Sequence, residues 1–148
     1  MLDSVPACLP SALYDDDADK KTYAPVAGLF NNFMPKAKMY CQDNHSILIL
    51  LNQLRDNMNA GPYGPPDRTP GGRAIKFYCD CRIALKKKGA IERGDEKIGH
   101  LVRAEIVKNR FNKPFQSATL SLIYGHGFDL GAELLDVAVQ MGIVGKEG

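Results

Sequence analysis

The sequence predicts an α/β fold whose sheet is partly parallel near residues 1–52 and antiparallel from about residue 79 to 124. A short, continuously apolar run at Ile47–Leu51 is typical of a strand covered on both faces of a parallel sheet. Two later segments alternate apolar and polar residues, as strands of an antiparallel pair do. Helical spacing at 24–41, 71–78 and 129–141 predicts flanking helices. With 148 residues, 45% of them hydrophobic, one domain is expected.

The first third of the chain predicts two strands that enclose a helix. Met1–Val5 is an apolar stub that carries Asp3 and Ser4, and it is typical of the end of a buried strand. The predicted helix has Val26, Leu29, Phe30, Phe33, Ala37 and Tyr40 at nearly helical spacing, and we expect Gly28 and Pro35 to weaken or kink it. The second strand, 46–52, leads into Gln53.

The remaining chain predicts a long loop, then a helix, three strands and a last helix. Residues 54–70 contain four prolines, which is typical of a functional or mobile loop. Strands are predicted at 79–87, 100–110 and 117–124, with a turn at 92–95 between the first two. Asp129 is predicted to cap the last helix. Its inner side is expected to carry Leu130, Leu134, Leu135, Val137, Ala138 and Met141.

Composition excludes several classes of protein. The longest apolar run is far shorter than the ~20 residues of a membrane-spanning helix, and no signal peptide opens the sequence. We therefore expect a cytoplasmic protein without membrane contact. Cys8, Cys41, Cys79 and Cys81 are irregularly spaced, so reduced thiols are expected. The pair Cys79 and Cys81 lacks the further ligands of a zinc site.

The net charge of +2 hides an uneven distribution. Residues 1–19 contain five acidic residues and no base, whereas residues 73–113 contain twelve of the nineteen bases and five acidic residues. The central block is a candidate phosphate-binding surface. A solvated face of strands and turns would have the same composition.

Three features combine into a candidate nucleotide site. An apolar segment carries Asp3 and Ser4, a second apolar segment ends in Gln53, and the long loop follows directly. A carboxylate at the end of a buried strand can hold Mg²⁺ beside a phosphate. An amide on the adjacent strand end could contact the terminal phosphate. Taken alone, Asp3 is better interpreted as a turn or helix-capping carboxylate.

The order of these features resembles that of the RecA recombinase family. The likeness runs in family order along nearly the whole chain. The matching segments are Leu2–Val5, Ile49–Arg55, Pro70–Tyr78, Val107–Arg110 with Pro114–Phe115, Ile123–Gly127 and Gly131–Asp136. The segments Pro70–Arg73 and Val107–Arg110 argue against a replicative helicase of the same fold.

The resemblance implies roles for residues around ATP and Mg²⁺. Asp3 would be the Walker-B carboxylate that holds Mg²⁺ through water, with Ser4 beside it. Gln53 would contact the γ-phosphate and order the following loop for DNA. Tyr124 and Gly125 would lie near the adenine. Lys108 and Arg110 would reach a neighbouring subunit's ATP, which makes hydrolysis depend on assembly. A cation pair on a strand is otherwise typical of a solvated face.

The resemblance also implies contacts with DNA and with other subunits. The first DNA loop would lie at about 15–23 and the second at about 54–70, with Tyr63 near the side chain that separates base triplets. Arg55, Gly71, Gly72 and Arg73 match positions that contact the DNA backbone, and Phe77 matches a subunit interface. Both aromatic residues, Phe77 and Tyr124, could instead be core residues. Four aspartates at 15–19 would repel phosphate in the first loop.

The 148 residues contain no G-x-x-x-x-G-K-[ST] motif, which would supply the phosphate-binding loop. Residues 1–148 are therefore interpreted as the carboxy-terminal half of a RecA-like ATPase core, from a divided gene, an alternative start or a deliberately shortened protein. We expect no ATP hydrolysis by this chain alone, and ATP and Mg²⁺ binding only in a complete core or filament. Expected partners are single- and double-stranded DNA and a homo-oligomeric filament or a complementary recombinase chain. The alternative is a non-catalytic module that caps or modulates a recombinase filament.

Overall fold

The computed structural model describes residues 1–8, 10, 24–56 and 67–145. The chain divides into two compact units, Met1–Cys79 and Asp80–Gly148. The first unit contains two helices and a two-stranded ribbon, and the second contains a four-stranded antiparallel sheet and one helix. In the part of the chain that the structure describes, no helix is long and apolar enough to cross a membrane.

The first unit is organised around helices α1 (Ala24–Asp43) and α2 (Gly72–Tyr78). A short 3₁₀ turn, Val5–Ala7, packs with them. The buried core consists of Val5, Phe30, Met34, Ala74 and Ile75. Val5 and Phe30 are the most deeply buried, at 0% and 1% exposure. This core fixes the segment that follows Asp3 and Ser4 against both helices.

Helix α1 confirms the predicted helix and adds two residues to its end. It continues through both Gly28 and Pro35. The predicted apolar face is only partly right, because the buried positions are Phe30 and Met34, whereas Tyr40 is 70% exposed. Residues four apart share a helix face, so the buried stripe runs through i and i+4 from Phe30.

The two apolar segments of the first unit run parallel to each other. A parallel bridge joins Leu2 to Leu50. The Leu2 N–H donates to the Ile49 carbonyl at 2.8 Å, and the Leu51 N–H donates to the Leu2 carbonyl at 3.0 Å. The pairing extends no further as a regular strand, because the chain turns into the 3₁₀ helix at Val5.

The prediction that residues 46–52 are covered on both faces is wrong for this structure. Alternate side chains point to opposite sides of an extended segment. Leu48 and Leu50 are half-buried, whereas Ile47 and Ile49 are 87% and 51% exposed. Leu51 is exposed on the same side as these two isoleucines. One side of the segment therefore packs on the described core and the other presents apolar surface.

The second unit is an antiparallel sheet in which each strand pairs with its chain neighbours. Its strands are β3 (Cys81–Arg93), β4 (Glu96–Asn109), β5 (Ser117–Ile123) and β6 (Gly127–Phe128). The predicted pair of strands is confirmed and is longer than expected, because pairing continues to Arg93 and Glu96. A tight turn at Gly94 and Asp95 joins them, with Gly94 at a φ of +61°.

Helix α3 (Leu130–Gln140) begins where predicted. The Asp129 carboxylate accepts a hydrogen bond from the Ala132 N–H at 3.1 Å. The prediction of a buried inner side is wrong, since no residue of α3 is buried. Leu130 and Leu134 are 74% and 72% exposed. Among the described residues of the second unit, Val102 is the one buried hydrophobic side chain, so the sheet offers this helix no deep core.

Candidate functional site

Asp3, Ser4 and Gln53 lie at the same end of the two parallel segments. The Val5 N–H, directly after Ser4, donates to the Leu51 carbonyl at 2.9 Å, and Gln53 follows Leu51 by two residues. Asp3 and Gln53 are exposed, and Ser4 is half-buried. The peptide bond between Asp3 and Ser4 is cis. The structure thus brings the carboxylate, the hydroxyl and the amide of the candidate nucleotide site to one edge.

The chemistry of these side chains fits a bound Mg²⁺. Mg²⁺ takes oxygen ligands, keeps several waters and is commonly held by one or two carboxylates together with substrate phosphates. Asp3 supplies the carboxylate, and Ser4 supplies a neighbouring hydroxyl. Among the described residues, no group of three or more His, Cys, Asp or Glu side chains could hold a metal by itself. The residues therefore fit an ion that is shared with phosphates.

Asn52 joins the two ends of the long loop, a role that the sequence analysis missed. Its side-chain amide donates to the Pro70 carbonyl at 2.9 Å, and its side-chain oxygen accepts from the Gln53 N–H at 2.9 Å. Next to it, strands β1 (Arg55–Asp56) and β2 (Asp67–Arg68) form an antiparallel ribbon. The only sequence signal was an asparagine at the end of an apolar run, a residue that commonly bonds nearby backbone.

The paired glycines at the end of this loop are required by packing. Gly71 has a φ of +87° and Gly72 a φ of +76°, which are conformations that favour glycine. A Cβ at Gly71 would overlap the Ile75 and Val5 side chains, and a Cβ at Gly72 would lie 3.0 Å from the Ala27 Cβ. The glycines therefore allow the end of the loop to approach the buried core at Val5, the residue after Ser4. Arg73, on the first turn of α2, is exposed.

Phe77 is 65% exposed and is not a core residue of the described unit. Its ring meets the Tyr78 ring edge to face, with centroids 5.2 Å apart. Tyr78 packs against the buried core. The core interpretation of Phe77 therefore does not hold in this chain, because most of the side chain is exposed.

Lys108 and Arg110 lie at the open end of the β3–β4 hairpin. Lys108 is half-buried and is the register partner of Arg82, so two cations face each other across the ladder. Like charges directly opposite each other are destabilising. Arg110 is ion-paired with Asp80, with 2.9 Å between Nη1 and Oδ1.

Tyr124 and Gly125 form the turn between β5 and β6 in the second unit. Tyr124 is 52% exposed, so it is not a core aromatic residue here. Its N–H donates to the Ile98 carbonyl at 2.9 Å, and its ring lies 5.7 Å from the His100 ring. Gly125 has a φ of +76°. The turn is therefore tied to β4, with the tyrosine ring facing outward.

Some predicted site residues lie outside the described residues. The first DNA loop at about 15–23 and Tyr63 of the second loop are among them. Only the two stems of the second loop are described, and these form the β1–β2 ribbon.

The family model for the RecA N-terminal domain matches residues 1–129 of this chain. Among curated relatives, "Protein RecA" of Chlorobium limicola is 34% identical over all 148 residues. "Protein RecA" of Desulforapulum autotrophicum is 36% identical and that of Aquifex aeolicus 34% identical, again over the whole chain. The chain belongs to the RecA family.

The match covers the whole of this chain and a smaller part of each relative. The 148 residues span 42% of the Chlorobium and Desulforapulum proteins and 43% of the Aquifex protein. Family membership confirms the resemblance. The activity, cofactors and partners of a whole recombinase are inferences for this chain.

Proposed function

We propose that this chain forms part of an ATP-dependent DNA recombinase that assembles as a filament on single-stranded DNA and acts in homologous recombination and repair. The arrangement at one edge of the first unit carries the proposal. There Asp3, Ser4 and Gln53 lie together, and Gln53 is directly joined to the stem of the predicted DNA loop. Residues 1–148 would be the carboxy-terminal half of a RecA-like core with a parallel sheet.

The nucleotide part of the proposal rests on the chemistry of the three side chains. Asp3 would hold Mg²⁺ through water, and the hydroxyl of Ser4 would lie next to it. Mg²⁺, when bound, would neutralise charge on the phosphates of ATP. The side-chain amide of Gln53 would donate to the γ-phosphate. The Gln53 N–H donates to the Asn52 side chain, and Asn52 also joins the two ends of the loop. A displacement of Gln53 would therefore shift Asn52 and the loop ends with it.

The DNA part of the proposal follows from this connection. Arg55 lies in the ribbon at the base of the loop, and Arg73 is exposed where the loop meets α2. Arginine side chains and glycine backbone amides at Gly71 and Gly72 would bind phosphates without reading sequence. Tyr63 would stack on bases, which is also tolerant of sequence. ATP would therefore favour a loop conformation that binds DNA.

Lys108 and Arg110 would act on the ATP of a neighbouring subunit. Lys108 and Arg82 are two cations opposite each other at this end of the hairpin. A guanidinium such as that of Arg110 can bind phosphate through two parallel hydrogen bonds. Tyr124 and Gly125 would pack near the adenine, and Phe77 would contact the adjoining subunit.

Exposed apolar surface supports a partner for this chain. The outward side of Ile47, Ile49 and Leu51 is apolar, and so is much of helix α3. Patches of this kind commonly mark contacts with other protein surface. The 148 residues contain no phosphate-binding loop motif. We propose that a complementary recombinase segment covers the apolar side of Ile47, Ile49 and Leu51 and supplies the loop.

The proposal is tested by binding of the purified chain to labelled single-stranded DNA across a salt series. The measurement is made with and without an amino-terminal RecA half, ATP and Mg²⁺. We expect binding to tighten when all three are added, and the tighter complex to depend on Gln53. Gln53→Ala should remove the ATP effect, whereas Gln42→Ala, an exposed glutamine at the end of α1, should retain it. Equal binding in all conditions would contradict the proposal.

The exposure of Phe77 also favours a second candidate, a module that caps a recombinase filament without catalysis. Such a module would shorten filaments of an intact recombinase in electron micrographs and would need neither Asp3 nor Gln53. Phe77→Ala would abolish the shortening, and Asp3→Asn would not.

A further inference from the structure

Asp80 holds Arg110 at two points. The Arg110 N–H donates to the Asp80 carbonyl at 3.0 Å, and the Arg110 guanidinium donates from Nη1 to the Asp80 carboxylate at 2.9 Å. Asp80 directly precedes β3, and Arg110 directly follows β4. Cys81 and Asn109 are register partners in the ladder between them. The pair therefore closes the open end of the hairpin.

The two interactions differ in what they restrain. The backbone bond fixes the course of the chain, and it remains when the Asp80 side chain is changed. The ion pair fixes the guanidinium, whose side chain is 43% exposed beside an aspartate that is 34% exposed. Exposed ion pairs are weak and exchange with solvent. A second anion could therefore displace the Asp80 carboxylate from the Arg110 guanidinium.

We propose that the Asp80 carboxylate competes with phosphate for Arg110. Asp80 is a positioning residue: its carboxylate accepts from the guanidinium Nη1, which a nucleotide phosphate would also use, and it withdraws when phosphate binds. This inference rests on the proposed function, in which Arg110 contacts the ATP of a neighbouring subunit. It adds a restraint on that contact, so that Arg110 is engaged within its own chain until an assembled subunit presents phosphate.

The competition predicts how strongly phosphate binding should change. The apparent affinity of a ligand falls by the fraction of protein in the competent state. Exposed ion pairs have stabilities that correspond to roughly two- to fivefold occupancy ratios. Asp80→Asn keeps the size of the side chain and removes its charge. Since the competent fraction rises from about one third to one sixth up to one, it should tighten phosphate binding at Arg110 by about three- to sixfold.

The test titrates inorganic tripolyphosphate into the ¹⁵N-labelled chain and follows the Arg110 side-chain N–H signals by NMR. Four proteins form a cycle: wild type, Asp80→Asn, Arg110→Ala and the double variant, with backbone amide shifts following the binding where the arginine is absent. Asp95→Asn is the matched control, because Asp95 is an exposed aspartate at the opposite end of the same hairpin. The β3–β4 amide spectrum confirms that each variant keeps its fold.

The outcomes separate this inference from the proposed function. Support requires tighter binding in Asp80→Asn, no change in Asp95→Asn, and no effect of Asp80→Asn when Arg110 is already alanine. An equal effect in the Arg110→Ala background would mean that Asp80 acts only through general charge, and it would overturn the inference. If Arg110→Ala leaves tripolyphosphate binding unchanged, the proposed role of Arg110 itself fails. If Arg110→Ala weakens binding but Asp80→Asn matches Asp95→Asn, only the restraint is overturned.

Discussion

Gly71 shows at the scale of one residue how packing and function overlap. Its positive φ and its contact with Val5 and Ile75 give it a structural reason to be glycine. The family resemblance also implies a DNA-binding role for this residue. Gly71 is buried against the core, so its packing role rests on the structure and its DNA role stays a prediction.

We expect Gly71→Ala to destabilise the chain by about 1–3 kcal/mol, because alanine is strained at positive φ and its Cβ would overlap buried side chains. Urea unfolding followed by circular dichroism measures the change. Gly89→Ala is the matched control, because a Cβ there meets nothing within 4 Å. It should stay within about 0.5 kcal/mol of wild type. Equal loss in both variants would contradict the packing argument.

For single residues, the sequence predicts side chains at the ends of apolar runs but not hydrogen-bond partners that are distant along the chain. Asp3, Ser4 and Gln53 are candidates because they lie at the ends of apolar runs. The structure brings them to one edge, and their roles stay predictions. Asn52 and Asp80 were missed. Their importance lies in bonds to Pro70 and Arg110, which are distant along the chain, and no local pattern records such partners.

At the scale of elements, strand pairing in the second unit was the most predictable feature. Alternating residues and a glycine turn specify a hairpin locally. The exposed side of residues 46–52 and the exposed face of α3 were not predicted correctly. A pattern shows which residues are apolar, but the sequence of this chain alone does not show what covers them.

Helix α3 depends on its cap to an unusual degree because little packing supports it. The Asp129 side chain accepts from the Ala132 N–H at the first turn. We expect Asp129→Ala to destabilise this helix by about 0.5–2 kcal/mol. Amide hydrogen exchange of residues 131–140 should become faster, while exchange in α1 stays unchanged. Asp136→Ala, within α3 and away from the cap, is the control. Faster exchange throughout both helices would argue for a global effect instead.

At the scale of the whole molecule, the described residues bury few large side chains. The first unit has a small core, whereas Val102 is the buried hydrophobic residue described in the second. We therefore expect the isolated chain to bind a hydrophobic dye such as ANS, and to bind less when the complementary recombinase half is added. The unrelated half of another α/β protein is the control. Unchanged dye fluorescence with the RecA half would contradict a shared apolar interface.

The parallel bridge between Leu2 and Leu50 has a consequence for the order of folding. The strands β3 to β6 each pair with a chain neighbour, so their contacts close short loops and form quickly. The bridge joins residues far apart in the sequence and must close a long loop first. We expect pulse-labelled hydrogen exchange to protect Leu51 after the amides of β4. When the whole chain refolds, Asp3 and Gln53 would then come together after the β3–β4 hairpin has formed.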